Sequence, residues 1–125
     1  MTPLVFVYAS IAGGAGAGLR YLVDVGTMTL IGAGSLTKGR FPWGIVIVNV
    51  TGSFALGVVT ASVPDAAFVV GAGLLGGYTT FSTAMLDTLA LWCDGERPAA
   101  AGHLLGTFAA TVIAALAGLG LGTLL

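Results

Sequence analysis

Charge is nearly missing from this chain: four Lys or Arg and five Asp or Glu in 125 residues, 7% of the total. A soluble domain carries about 25% charged residues to keep its surface in water, so a water-facing globule is excluded. A hydrophobic fraction of 57% and a mean hydropathy of +1.05 instead read as an integral membrane protein surrounded by lipid. The net charge of −1 offers no basic footprint for nucleic acid. Cysteine is scarce too. Cys93 alone rules out an intrachain disulfide and a thiolate metal cluster. His103 is the only histidine, with no Cys, Asp or Glu at ligand spacing, so no side-chain metal centre is expected. No nucleophile–base pair and no phosphate loop is present, and no enzyme is expected. Met1-Thr2-Pro3 lacks a basic lead-in, and Arg20 comes only after the apolar run, so the first segment reads as a retained helix.

What the chain has is length of apolar sequence. A spanning helix needs about 20 such residues, and four segments fit, at about residues 3–29, 43–62, 66–93 and 99–125. Pro3 suits a first helical turn, Val63-Pro64-Asp65 a tight turn, and Asp94-Gly95-Glu96-Arg97-Pro98 a helix end. The expected class is an all-α membrane protein, a single transmembrane domain of four helices with no soluble part. Glycines at GxxxG spacing occur at Gly14/Gly18, Gly73/Gly77, Gly102/Gly106 and Gly118/Gly122. In lipid such pairs let helix backbones approach closely, within one subunit or between two. Four helices enclose little interior, so a transport path calls for a second subunit. The loops after the first and third segments hold Lys38, Arg40 and Arg97, while the termini and the turn at Asp65 hold no cation. The positive-inside rule then places both termini outside, in one fixed topology.

Within the third segment lies a polar octet, Gly76-Gly77-Tyr78-Thr79-Thr80-Phe81-Ser82-Thr83. Two glycines followed by two β-branched threonines hold a helix poorly, and freed backbone groups survive in hydrocarbon only against protein, water or an ion. The helix is expected to break near residues 76–80, and the break is a candidate ion site. Asn49, mid-way along the second segment beside Thr51 and Ser53, reads either as an interhelical hydrogen-bond former or as an amide offered to an anion. Arg20, four residues before Asp24, reads either as an interfacial ion pair or as a positive lure in an aqueous vestibule. His103, Thr107 and Thr111 recur every four residues and form one polar stripe on the fourth segment.

Three of these stretches, in order, resemble the Fluc/CrcB family of small bacterial fluoride channels. They are Gly13-Gly14-Ala15-Gly16-Ala17-Gly18-Leu19-Arg20-Tyr21, Val48-Asn49-Val50-Thr51-Gly52-Ser53-Phe54, and the octet itself. The resemblance implies an antiparallel dimer of four-helix subunits in the bacterial inner membrane, with two narrow pores that passively release cytoplasmic fluoride and confer fluoride resistance. It implies a structural sodium ion (Na+) at the dimer centre, held by backbone carbonyls at Gly76 and Thr79. It also implies a fluoride path along Asn49, Phe81, Ser82 and Thr83, joined by His103 and Thr107 on the fourth-helix stripe, with Arg20 in the vestibule. Aromatic edges are the positive part of the ring quadrupole, so edges and hydroxyls together can replace the water shell of a small anion.

The chain departs from the family pattern in three places. Ala84 stands where a second phenylalanine is expected, His103 where a tyrosine commonly begins the stripe, and the shorter Asp87 where a glutamate is usual. Ala84 and the one-sided loop charge favour a dimer with a homologous second chain over a dimer of this chain with itself. Two alternatives follow. One is a degenerate structural partner subunit that completes the dimer and its sodium site. The other is a small proton-coupled multidrug exporter, for which Asp24 is the only candidate first-helix carboxylate, placed unfavourably close to Arg20.

Overall fold

A computed structural model of the chain describes residues 2–31 and 41–125, and every regular element among them is helical. Helix α1 spans Pro3–Leu30 and α2 spans Trp43–Ser62. The third segment is composite. A 3-10 turn at Pro64–Ala66 leads into a wide π-helix at Ala67–Leu75, and one α-turn, α3, covers Gly76–Tyr78. After two extended residues, α4 covers Phe81–Cys93, and α5 then runs over Arg97–Leu124. Three stretches among the described residues are long and apolar enough to cross a membrane: Trp43–Ser62, Pro64–Cys93 and Arg97–Leu124. The chain is therefore a multi-pass membrane protein. At 28 residues α1 has the length as well, but Arg20 and Asp24 dilute its apolar character. Lys38 and Arg40, two of the three cations behind the expected orientation, lie outside the described residues.

Helix ends follow local chemistry. Pro3 opens α1, and α5 starts about two residues earlier than its sequence suggested, with Pro98 in its first turn. The missing proline N–H costs nothing there, because the first helical N–H groups have no partner anyway. Gly95 takes φ +83° in the short connection from α4 to α5, a left-handed conformation that glycine adopts without a Cβ clash. Beside it the Arg97 guanidinium lies 4.7 Å over the Trp92 ring, so the cation is held by an aromatic face near the end of the span.

Backbone proximity, not side-chain bulk, joins the helices. Lipid is as apolar as any side chain, so association in a membrane relies on close van der Waals fit and small residues supply it. The most extensive pairing is α2 with α5. A Cβ on Gly118 would fall on the Phe54 carbonyl, and one on Gly122 would come to 2.7 Å from the Val58 carbonyl oxygen. On the other side α1 packs along the π-helix and α3. There a Cβ on Gly73 would reach 2.8 Å from the Ala9 carbonyl oxygen, one on Gly77 would strike Gly13, and one on Gly16 would come to 2.9 Å from the Tyr78 nitrogen. Two of the four GxxxG pairs thus close contacts within the chain. The other two, Gly14/Gly18 and Gly102/Gly106, face open space with nothing within 4 Å of an added Cβ.

Adding one methyl at a closed contact should therefore be costly, and adding it at an open one should not. Gly118→Ala should lose about 1–3 kcal/mol of stability through overpacking. Gly120→Ala, on the same helix with nothing within 4 Å, should stay within about 0.5 kcal/mol of the parent. Thermal unfolding of both variants in detergent micelles measures the difference; equal melting would contradict the close α2–α5 approach.

Candidate functional site

The helical path of the third segment gives out at two residues. Thr79 (φ −78°, ψ 158°) and Thr80 (φ −149°, ψ 121°) are both extended. Thr80 is 7% exposed, so its main-chain groups need protein partners, and one side chain of α2 supplies both. The Thr80 N–H donates to Asn49 Oδ1 at 2.8 Å, and Asn49 Nδ2–H donates to the Thr80 carbonyl at 2.9 Å. Thr80 also caps α4, its hydroxyl oxygen accepting the Thr83 N–H at 3.2 Å. That is the satisfaction expected of an N-cap residue.

The same face of α2 prepares the seat. Gly52 lies three residues after Asn49, and a Cβ there would run into the Thr79 methyl and come to 3.0 Å from the Tyr78 ring. Thr51 spends its hydroxyl proton on the Ile47 carbonyl at 2.7 Å. The Tyr78 hydroxyl, 3.0 Å away, is therefore the donor to Thr51. The stretch Asn49-Val50-Thr51-Gly52 thus pins the break with an amide, a hydroxyl and a gap.

Diverting these donors frees carbonyls. In a continuous helix the Gly76 carbonyl would accept the Thr80 N–H, and the Thr79 carbonyl would accept the Thr83 N–H. Both donors are taken, by Asn49 Oδ1 and by Thr80 Oγ1. The Gly76 and Thr79 carbonyls therefore lack the partner that a continuous helix would give them. Among the described residues no cluster of His, Cys, Asp or Glu could hold a metal ion.

Beside the break, α2, the third segment and α5 line a groove of about 670 Å³. Asn49, Gly76, Thr79, Phe81, His103 and Thr107 all line it. Phe81 is 78% exposed, while Ala84 is buried in the wall. Ser82 and Thr83 are not part of the lining, and Arg20 sits apart on α1 within electrostatic range of Asp24. Residues expected from sequence to share one path therefore fall into a groove set and an outlying set.

Two polar atoms in the groove wall are buried without a partner, His103 Nε2 and Thr107 Oγ1. Most hydroxyls on the spanning helices are quenched by their own backbone: Thr29, Thr51, Thr60 and Ser62 each donate to the carbonyl four residues back. Thr107 is different. Buried polar groups are paired in the great majority of cases, so an unpaired hydroxyl and an unpaired ring nitrogen on two residues that line one groove call for a polar partner. His103 is oriented from its other side, with Nδ1 2.7 Å from the Thr88 hydroxyl and the Phe41 ring edge-on at 5.4 Å. Gly52, Tyr78, Thr80 and Thr88 had no assigned role in the sequence. The Asn49–Gly52 spacing, one face of a helix opposite a Thr-Thr pair, is the signal that could have found the first three.

A multi-pass helical membrane protein with one span broken and pinned, beside a groove with unpaired polar groups, is built to pass or hold a small ion. The chain belongs to the CrcB family: the family model described as CrcB-like protein, Camphor Resistance (CrcB), matches residues 7–119. It is similar to the fluoride-specific ion channel FluC of Nitrobacter winogradskyi, 42% identical over 91% of this chain and 92% of that protein. It is also similar to fluoride-specific ion channel FluC 2 of Nocardia farcinica, 41% identical over 98% and 85% of the two chains. A third relative is fluoride-specific ion channel FluC 1 of Rubrobacter xylanophilus, 40% identical over 94% and 93%. These relatives carry the name of a channel and not of an enzyme.

Asn49→Leu should strand both main-chain groups of Thr80. Each buried unsatisfied group costs about 1–3 kcal/mol, so melting in micelles should fall and the Thr80 amide should exchange faster with deuterium. A variant that melts and exchanges like the parent would remove Asn49 from the break.

Proposed function

We propose that this chain is one subunit of a fluoride-selective channel that lets cytoplasmic fluoride leave the cell passively. The observation that carries this reading is the groove at the helix break, where Asn49, Phe81, His103 and Thr107 bring an amide, a ring and two unpaired polar atoms into an apolar wall. Amide, hydroxyl and aromatic-edge protons are the partners a small, tightly hydrated anion needs in exchange for water. The names of the relatives support the choice of fluoride among such anions.

In this reading α1 is a fourth spanning helix and two subunits associate antiparallel. The open pairs Gly14/Gly18 and Gly102/Gly106 supply faces on which another helix backbone could close. The freed carbonyls of Gly76 and Thr79, doubled by a second subunit, fit a sodium ion. Such an ion would tie the two breaks together by charge and oxygen coordination. Fluoride then passes beside the break along the stripe of α5, with Ser82 and Thr83 reached from the α4 side and Arg20 as an outer lure. The two termini lie outside.

Ala84 favours a second reading of the partner. It lies buried in the groove wall where the resemblance leads one to expect a phenylalanine. A homologous second chain bearing that ring would restore what this one lacks, and the numbered names FluC 1 and FluC 2 among the relatives are in keeping with paired chains.

Lipid vesicles loaded with fluoride and chloride and containing this full chain should release fluoride, detected by electrode, when potassium is allowed to move as counter-ion. Chloride should stay inside. Retention of fluoride while chloride or cations leak would overturn the assignment. Ala84→Phe should raise the flux of the chain alone if the missing ring limits conduction; a fall in flux would argue against the paired-chain reading.

A further inference from the structure

We propose that the anion site in the groove is switched by a proton on His103: the site accepts an anion once Nε2 is protonated and refuses it when Nε2 is bare. The inference rests on the channel reading above and concerns the regulation of that same site. Its starting point is one hydrogen atom. The Thr88 hydroxyl has a single proton and two neighbours, the Ala84 carbonyl at 2.9 Å and His103 Nδ1 at 2.7 Å. In the proposed neutral state that proton goes to the carbonyl, the oxygen accepts, and Nδ1 is the donor. A neutral imidazole carries one N–H. Nε2 is then a bare lone pair, buried in the groove wall with no partner.

A bare lone pair repels an anion. Protonation reverses this: Nε2–H becomes a charged donor, while Nδ1–H keeps its bond to Thr88, and the groove wall over the buried ring opens to admit the anion. Thr107 lies one turn further along the same face of α5, about 6 Å by helix rise, and its hydroxyl is unpaired as well. Together they give an anion two donors from one helix. His103 is 1% exposed, and a buried cation is costly unless paired. Proton and anion therefore favour each other's arrival in the groove.

Few other groups can confuse the response. Among the described residues no other titratable side chain lines the groove, and α2 carries none at all. On the helix holding Thr88, Asp87 lies within electrostatic range of Asp24 on α1, and Cys93 is exposed. On α3 the Tyr78 hydroxyl is bonded to Thr51. On α5 Arg97 is stacked on Trp92.

The test uses the full chain in lipid and its only histidine. With 15N-labelled histidine the ring nitrogens report tautomer and protonation directly. The expected neutral form carries hydrogen on Nδ1. By linkage, fluoride above its dissociation constant should raise the titration midpoint by about one pH unit for each tenfold increase. Chloride should not. Fluoride flux, corrected for neutral HF crossing protein-free vesicles, should fall about tenfold per pH unit above that midpoint. His103→Gln, whose amide donates at any pH, should flatten the profile. A midpoint indifferent to fluoride, a neutral form carrying hydrogen on Nε2, or flux that is level between about pH 5 and 8 would overturn the switch while leaving the channel reading intact. No fluoride flux at any pH would instead sink the channel reading itself.

Discussion

The architecture of this chain depends on one side chain meeting one backbone unit: the Asn49 amide and the N–H and C=O of Thr80. A helix interrupted inside a membrane is normally forbidden, because each freed group costs several kcal/mol with no water to receive it. Asparagine is suited to the repair because its short amide offers one donor and one acceptor in a plane, matching the two faces of a peptide residue. With Thr80 satisfied, the capping of α4 by its hydroxyl, the release of the Gly76 and Thr79 carbonyls and the groove beside the break all follow. The break is thus held from outside the broken segment, by α2, and the α2–α5 contact in turn fixes where that clamp stands.

Much of this was legible in the sequence because the signals were compositional or local. The shortage of charge gave the solvent, the apolar runs gave helices, and Gly-Gly-Tyr-Thr-Thr marked a weak helix within two residues of where the backbone turns extended. The wide-turn stretch Ala67–Leu75 was not legible. Its residues are ordinary helix or membrane residues, and nothing in a short window distinguishes π spacing from α spacing. Asn49 was visible as a polar residue needing a partner, and both an interhelical bond and an anion contact were reasonable for it. The amide makes the bond to Thr80, and the same residue also borders the groove. Thr88 was invisible because its role exists only opposite His103, fifteen residues away on another helix.

The glycines divide along a line the sequence could not draw. Gly73/Gly77 and Gly118/Gly122 share their spacing with Gly14/Gly18 and Gly102/Gly106, yet only the first two pairs touch backbone within the chain. Periodicity places a glycine on a face, and topology decides what that face meets. The chain consequently uses two of its four GxxxG pairs in its own fold and leaves two facing open space. A lipid chain, with mobile methylenes, fills a shallow glycine groove less closely than a helix backbone does. That asymmetry gives physical content to the idea of a second subunit, independently of any argument about how much interior four helices can enclose.

The groove wall shows how a change of side chain can alter regulation without altering shape. A tyrosine at the start of the α5 stripe would bring a hydroxyl that donates at every pH near neutrality, since its proton leaves only near pH 10. Histidine at position 103 brings a ring of comparable reach whose second nitrogen is a donor in one protonation state and a bare acceptor in the other. In the proposed switch Thr88 sets which nitrogen changes: with its own proton on the Ala84 carbonyl, Nδ1 is the constant donor and Nε2 the variable one. Burial then joins the two ligands of the site, because a cation in an apolar wall needs an anion and an anion there needs a donor. The same two atoms that look like defects in a hydrogen-bond census, Nε2 and the Thr107 hydroxyl, are the ones at which the proposed switch seats its anion.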